Sequence, residues 1–168
     1  MSPAAIMHLV PLAKILLLSA LANGTPLAAK KIFGSRFSYP VDGGRTLADG
    51  RPLFGPSKTV RGILASILVT SACAPLIGVE VSVGATAAVA AMAGDLFSSF
   101  LKRRLNFTPS SQAIGLDQVP ESLFPMLACR QALSLSIADI VLGVAIFVVG
   151  ELILSRLLYR LRLRDRPY

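Results

Sequence analysis

The sequence predicts an all-α, polytopic membrane protein with five transmembrane helices, two cytoplasmic loops and the N-terminus outside. Three observations carry this. Apolar residues make up 54% of the 168 residues and charged residues only 15%, against about 25% charged in soluble domains. The mean hydropathy is +0.67, and so apolar a chain would expose large greasy patches in water. The apolar residues also gather into runs, most of them close to the roughly 20 residues a helix needs to cross a bilayer. The length fits one domain, 1–168.

Helix one is expected from Pro3 to Ala22. It lacks the basic leader of a signal peptide, and Lys14 interrupts its apolar centre, so it reads as a retained span. Helix two is expected from Ser57 to Ile77, with Gly78 breaking it, and helix three from Val79 to Arg104. Helix four, from Val119 or Pro120 to Ala132, is short for a span. Helix five is expected from Ser134 to Leu161. Two polar loops remain, Asn23 to Pro56 and Asn106 to Gln118.

Basic residues orient the bundle. Lys30, Lys31, Arg36, Arg45 and Arg51 lie in the first loop, and Lys102, Arg103 and Arg104 precede the second. Arg156, Arg160, Arg162, Arg164 and Arg166 fill the tail. The connections near Gly78 and Leu133 carry little positive charge apart from Arg130. Five spans then put both loops and the tail in the cytoplasm of a multi-pass cell-membrane protein. The net charge of +8 is thus topological. Nucleic-acid binding is excluded because no soluble basic face is present. Cys73 and Cys129 lie in apolar runs with no CxxC and read as small buried hydrophobes.

The sharpest chemical signal ends helix three. At 100° per residue, Asp95, Ser98, Ser99, Lys102, Arg103 and Asn106 share one arc of roughly 140°. Leu96, Phe97, Phe100 and Leu101 fill the opposite side. A carboxylate at membrane depth is costly and by default functional, although a structural pair of Asp95 with Lys102 is the plainer account. Gly94 beside it would let a ligand or another backbone approach. Asp117 opens helix four; alone it reads as an N-cap with Pro120 just inside. Together, Asp95 and Asp117 are candidates for holding magnesium, which takes one or two carboxylates plus substrate phosphates. At the start of helix two, Ser57 is the expected cap, and Lys58, Thr59, Arg61 and Gly62 form an anion-binding helix start. The positive-charge bias alone also accounts for Lys58 and Arg61. Gly50 to Thr59 fails the spacing of a P-loop. Asp42-Gly43-Gly44 and Asp49-Gly50 predict a small hairpin, Asp42 reads as turn chemistry, and Asn23-Gly24 reads as the C-cap of helix one.

From Ala-Asn-Gly-Thr-Pro through PVDGG and FGPSKTVRG to GDLFSSFLKRR, PSS and LDQ, the chain resembles the CDP-archaeol synthases, relatives of the CDP-diacylglycerol synthases. The resemblance implies a magnesium-dependent transfer of cytidylyl from CTP to digeranylgeranylglyceryl phosphate, releasing pyrophosphate. It implies Asp95 and Asp117 as metal ligands, Lys58, Arg61, Lys102 and Arg103 as phosphate contacts, and Asn23 as part of the CTP pocket. Thr59, Gly94, Ser98 and Ser99 complete the expected CTP site, and Asp95, Asp117, Lys102 and Arg103 its catalytic core. Lys14 stands about 13 Å before Asn23 along helix one. It is expected either to pair with Glu151 or to serve the lipid phosphate near Asp95. His8 is given no role. Two other readings stay open. One is a small transporter or channel subunit with charges along its pathway. The other is a CDP-alcohol phosphotransferase, hinted at by Asp42-Gly43-Gly44-Arg45 but lacking that enzyme's paired downstream aspartates.

Overall fold

Pro26 should stop a membrane helix, because it has no N–H to give the carbonyl of Ala22. The computed structural model shows why it does not: Ser66 Oγ donates to Ala22 O at 2.8 Å. With that carbonyl satisfied from a neighbouring helix, α1 continues from Pro3 to Phe33. The structure describes residues 3–107 and 113–160, and of these all side chains but those of residues 3–8 and 158. Helix one therefore does not end at Ala22, and Asn23-Gly24 is not its C-cap. Gly34, at φ 56° and donating to Lys30 O at 2.9 Å, ends it instead.

The second helix also starts later than expected. Lys58 and Thr59 are taken up by a bridge to residues 39–41: Val41 N donates to Lys58 O at 2.9 Å and Val60 N to Tyr39 O at 3.0 Å. So α2 spans Val60–Cys73, and Thr59, not Ser57, is its N-cap, accepting from Gly62 N. A 3-10 helix, Ala74–Ile77, follows, and Gly78 turns the chain at φ 65°. Then come α3, Val81–Arg104, α4, Gln118–Ala128, and α5, Ile137–Arg160. Among the described residues, four segments are long and apolar enough to cross a membrane: Leu9–Phe33, Val60–Ile77, Val81–Arg104 and Ile137–Leu157. α4 has 11 residues, about 16 Å at 1.5 Å each, roughly half a hydrocarbon core. The tail from residue 161, including Arg162, Arg164 and Arg166, and the Pro109-Ser110-Ser111 stretch lie outside the described residues. So does the side chain of His8.

Small residues let the helices approach, as membrane bundles require. A Cβ on Gly84 would sit 2.6 Å from Ala74 Cβ, and one on Gly94 would sit 2.3 Å from Pro120 O. Two apolar clusters fill the bundle. Leu12, Ile15, Leu18, Met126 and Ile140 lie toward the Gly78 end, while Ala22, Ala88, Ala91 and Met92 lie nearer the long loop. That loop folds on Asp42, whose carboxylate accepts from Gly44 N at 2.9 Å, Phe54 N at 2.9 Å and Gly55 N at 3.1 Å. Burial raises the Asp42 pKa, but these three N–H groups outweigh it and hold the pKa below the usual value. The expected hairpin is present, closed by a bridge between Thr46 and Pro52. Arg104 clamps it to α3 through Asp49 at 2.5 Å and Pro52 O at 2.7 Å.

Candidate functional site

Where α3 and α4 meet the long loop, five ionisable side chains converge. Lys58, just before α2, reaches Asp95 Oδ1 at 2.5 Å. Lys102, two turns further along α3, reaches Asp117 Oδ1 at 2.6 Å. Asp117 also influences Lys58, and Lys102 influences Asp95, so the two pairs form one network. Glu121, on α4, is hydrogen-bonded to Asp95. Burial disfavours the Lys58 ammonium, but Asp95 and then Glu121 more than offset this and raise its pKa above the ordinary value.

Helix geometry explains the convergence. The polar arc of α3 faces inward: Gly94, Ser98, Ser99, Lys102 and Arg103 are buried, while Phe97 is 44% exposed. Gly94 carries no side chain because the backbone of Pro120 and Glu121 packs directly on it, which sets Glu121 beside Asp95. Asp95 takes Lys58 as its close ion-pair partner, where sequence pattern alone suggested Lys102. Asp117 does not cap α4 with its side chain. Its Oδ2 instead accepts from Ala113 N at 3.1 Å, and its Oδ1 is held by Lys102.

Other expected residues fall in different places. Arg103 donates to Phe107 O at 2.6 Å, and its buried Nε has no partner. Asn23 Nδ2 is likewise buried without a hydrogen-bond partner. Ser98 Oγ bonds its own helix at Asp95 O. Arg61 stands apart from the network; it donates to Gly34 O at 3.0 Å and to Arg36 O, tying the end of α1 to α2. Lys14 is a correction to both expected roles. Its Nζ donates to Gly78 O at 3.0 Å, at the far end of α2 from Lys58. The reason is the length of α1: its loop-side end is Phe33, not Asn23, so Lys14 lies about 28 Å from that end. Glu121 had no expected role. Its signal was available, since Glu121 follows Asp117 by four residues on one helix face.

A family model described as "CarS-like: CDP-archaeol synthase" matches residues 74–168. The chain belongs to this family. It is 32% identical over 152 residues to the CDP-archaeol synthase of Pyrobaculum islandicum, covering 88% of this chain and 91% of the relative. The match to the CDP-archaeol synthase of Pyrococcus furiosus is 38% identical over 107 residues, spanning 58% of this chain and 60% of the relative's length. A solved structure described as an intramembrane enzyme for archaeal membrane lipid biosynthesis superposes with a TM-score of 0.65 at 31% identity. It covers 83% of this chain and 91% of its own. The bundle is therefore that of an intramembrane lipid enzyme family.

Proposed function

We propose that this protein transfers the cytidylyl group of CTP to digeranylgeranylglyceryl phosphate, giving the CDP-lipid and pyrophosphate, at the cytoplasmic face of the cell membrane. The observation that carries the reading is the linked pair Lys58–Asp95 and Lys102–Asp117 at the loop-bearing end of the bundle, in a chain of the CDP-archaeol synthase family.

The donor set fits magnesium. All its anionic groups are carboxylates, which a hard cation prefers, and two lysine ammoniums already sit where positive charge is favoured. Among the described residues no group of three or more acidic, His or Cys side chains converges well enough to hold a metal alone. In this reading Asp95 and Asp117 hold the ion together with the nucleotide phosphates. Bound there, magnesium supplies neutralisation and orientation of the triphosphate.

The protein's own groups do the rest by position and charge. A lipid phosphate oxygen attacks the α-phosphorus of CTP in line with the leaving pyrophosphate. The attacking oxygen is already ionised, so no general base is needed. Lys58 and Lys102, which stand beside these carboxylates, would contact the nucleotide phosphates. The unpartnered donors Asn23 Nδ2 and Arg103 Nε suit nucleotide oxygens, with Thr59, Ser98 and Ser99 shaping the pocket and Gly94 seating α4 beside it. Five membrane helices with the N-terminus outside complete the proposal, the short α4 carrying the chain, together with its flanking turns, from the loop-bearing end back to the Gly78 end along α3.

The test is direct. Purified protein in nanodiscs, given labelled CTP, magnesium and digeranylgeranylglyceryl phosphate, should release pyrophosphate and form CDP-lipid only when all three are present. CMP release from CDP-lipid and an alcohol, with no use of CTP, would identify a CDP-alcohol phosphotransferase instead. A single cysteine at the exposed Ser35 should react only from the cytoplasmic side; labelling from outside overturns the orientation.

A further inference from the structure

Arg104 ends α3 directly after Lys102 and Arg103, and the sequence pattern accounts for it as topological charge alone. The structure commits it to the long loop. Its guanidinium donates to Asp49 Oδ2 at 2.5 Å, Pro52 O at 2.7 Å and Arg51 O at 3.2 Å. Arg51 answers with its own guanidinium, which donates to Arg104 O at 2.7 Å. That carbonyl lies in the last turn of α3, where no intrahelical donor follows it. Each arginine thus holds the backbone of the other. Phe100, one turn back, supports the Arg104 guanidinium at 5.4 Å from its ring centre. We infer that Arg104 is a positioning residue for the nucleotide site: it holds the hairpin of residues 45–53 so that Lys58 stands beside Asp95, and it touches no substrate itself. The inference rests on the proposed activity and adds to it a residue outside the ion-pair network.

A continuous series of bonds runs from Arg104 to Lys58. The hairpin that Arg104 grips is closed by Leu47 N donating to Arg51 O at 3.0 Å and Leu53 N donating to Arg45 O at 3.0 Å. The next two residues, Phe54 and Gly55, give their N–H groups to Asp42. Lys58 N then donates to Gly55 O at 3.3 Å, and Lys58 Nζ reaches Asp95. Gly55 also stands against α3: a Cβ on it would lie 3.8 Å from Arg103 Nε. Asp95, Lys102 and Arg103 belong to α3, whereas Lys58 belongs to the loop. Fixing the hairpin to the end of α3 therefore sets the two halves of the site in one frame. Loop residues already held in place lose little conformational freedom when CTP binds, and that favours affinity. Charge alone does not explain the arrangement. A partly exposed pair such as Arg104 and Asp49 contributes little by itself. The other two acceptors are hairpin carbonyls, and bonds to them fix where the hairpin lies.

The experiment separates positioning from general stability. Equilibrium dialysis of the protein in nanodiscs, with labelled CTP and magnesium, measures nucleotide affinity. Native mass spectrometry measures binding of digeranylgeranylglyceryl phosphate, and hydrogen exchange follows the amides of Phe54 and Gly55. Arg104→Gln should speed exchange at both amides and weaken CTP binding about tenfold, with lipid binding unchanged. Asp49→Asn keeps both carbonyl contacts and should weaken CTP binding only about twofold. Lys58→Gln already lacks the ammonium that Arg104 places, so adding Arg104→Gln to it should weaken CTP binding by less than about twofold more. Unchanged CTP affinity in Arg104→Gln overturns the inference, whatever the exchange rates. An undiminished tenfold loss in the Lys58→Gln background also overturns it, because Arg104 would then act by a route other than Lys58. Equal losses of CTP and lipid binding would mean general loosening, and that too overturns it. Should Arg104→Gln extract poorly, Arg104→Lys carries the same test. It keeps the charge but not the fork, and CTP binding should weaken about threefold. The two readings fail separately: the expected losses of CTP affinity, in a protein that makes no CDP-lipid, would sink the activity and leave the role of Arg104.

Discussion

The two ends of the bundle use charge differently. At the Gly78 end, ionisable side chains bond to backbone: Lys14 to Gly78 O at 3.0 Å, Arg130 to Leu135 O at 3.3 Å, and Asp139 to Ser136 N at 2.8 Å. Each finishes a helix or a turn whose free backbone groups would otherwise be costly in lipid. At the loop end, Asp42, Arg61 and Arg103 bond backbone in the same way, but a second set of charges faces one another across helices, as Lys58–Asp95, Lys102–Asp117 and Asp95–Glu121. Mutually paired charges cost desolvation that hydrophobic packing would avoid, so their retention points to a ligand that uses them. A charge that caps backbone and a charge that awaits substrate therefore look alike in sequence and differ in partner.

The sharpest way to break this contrast is to neutralise the loop-end carboxylates. Asp95→Asn and Asp117→Asn should each lower CTP-dependent pyrophosphate release by at least about a hundredfold, the scale of losing a charge-stabilising group, with normal extraction and helicity. Ordinary turnover in either variant removes that residue from the metal site. Glu121→Gln sharpens the contrast further. An amide retains a hydrogen bond to Asp95 but not the carboxylate, and turnover should fall by roughly tenfold, about the 1.4 kcal/mol of one charge-assisted hydrogen bond. Wild-type turnover would reduce Glu121 to packing.

Smaller effects are expected from changes that act on structure alone. Gly94→Ala forces a methyl toward Pro120 O, an overpacking worth about 1–3 kcal/mol. It should lower thermal stability and turnover together, because it separates Glu121 from Asp95. Lys14→Met should leave kcat unchanged and cost about 1–3 kcal/mol of stability for the unpaired Gly78 carbonyl. A dead but stable Lys14→Met would restore a catalytic role to that residue. The mildest expectation is a pH effect in the long loop. The Asp42 pKa is lower folded than unfolded, so its contribution is complete above the unfolded value, near 3.8. It is lost as pH falls from there through the lower folded value. Limited proteolysis near Arg45 and Arg51 should be slow at pH 7 and speed up only in strong acid, while Asp42→Asn should be cut faster at pH 7, with the difference closing in strong acid.

Sequence by itself determined the class of solvent, the helical fold and the inward face of α3. Those features are periodic or compositional, and each residue contributes to them without reference to distant ones. The apolar runs of α2, α3 and α5 and the arc containing Asp95, Ser98, Ser99 and Lys102 were legible for that reason. Local signals misled where a remote atom altered their meaning. Asn23-Gly24-Thr25-Pro26 has every mark of a helix end, yet α1 continues because Ser66 supplies the hydrogen bond that Pro26 cannot. That one bond lengthens α1 by three turns and moves Lys14 from the site to the opposite end. Likewise Ser57 yields the cap to Thr59 because residues 39–41 claim Lys58 as a bridge partner. Tertiary structure alone paired Lys58 with Asp95 and drew Glu121 against it over Gly94. Each depends on which helix lies next to which, and only packing decides that.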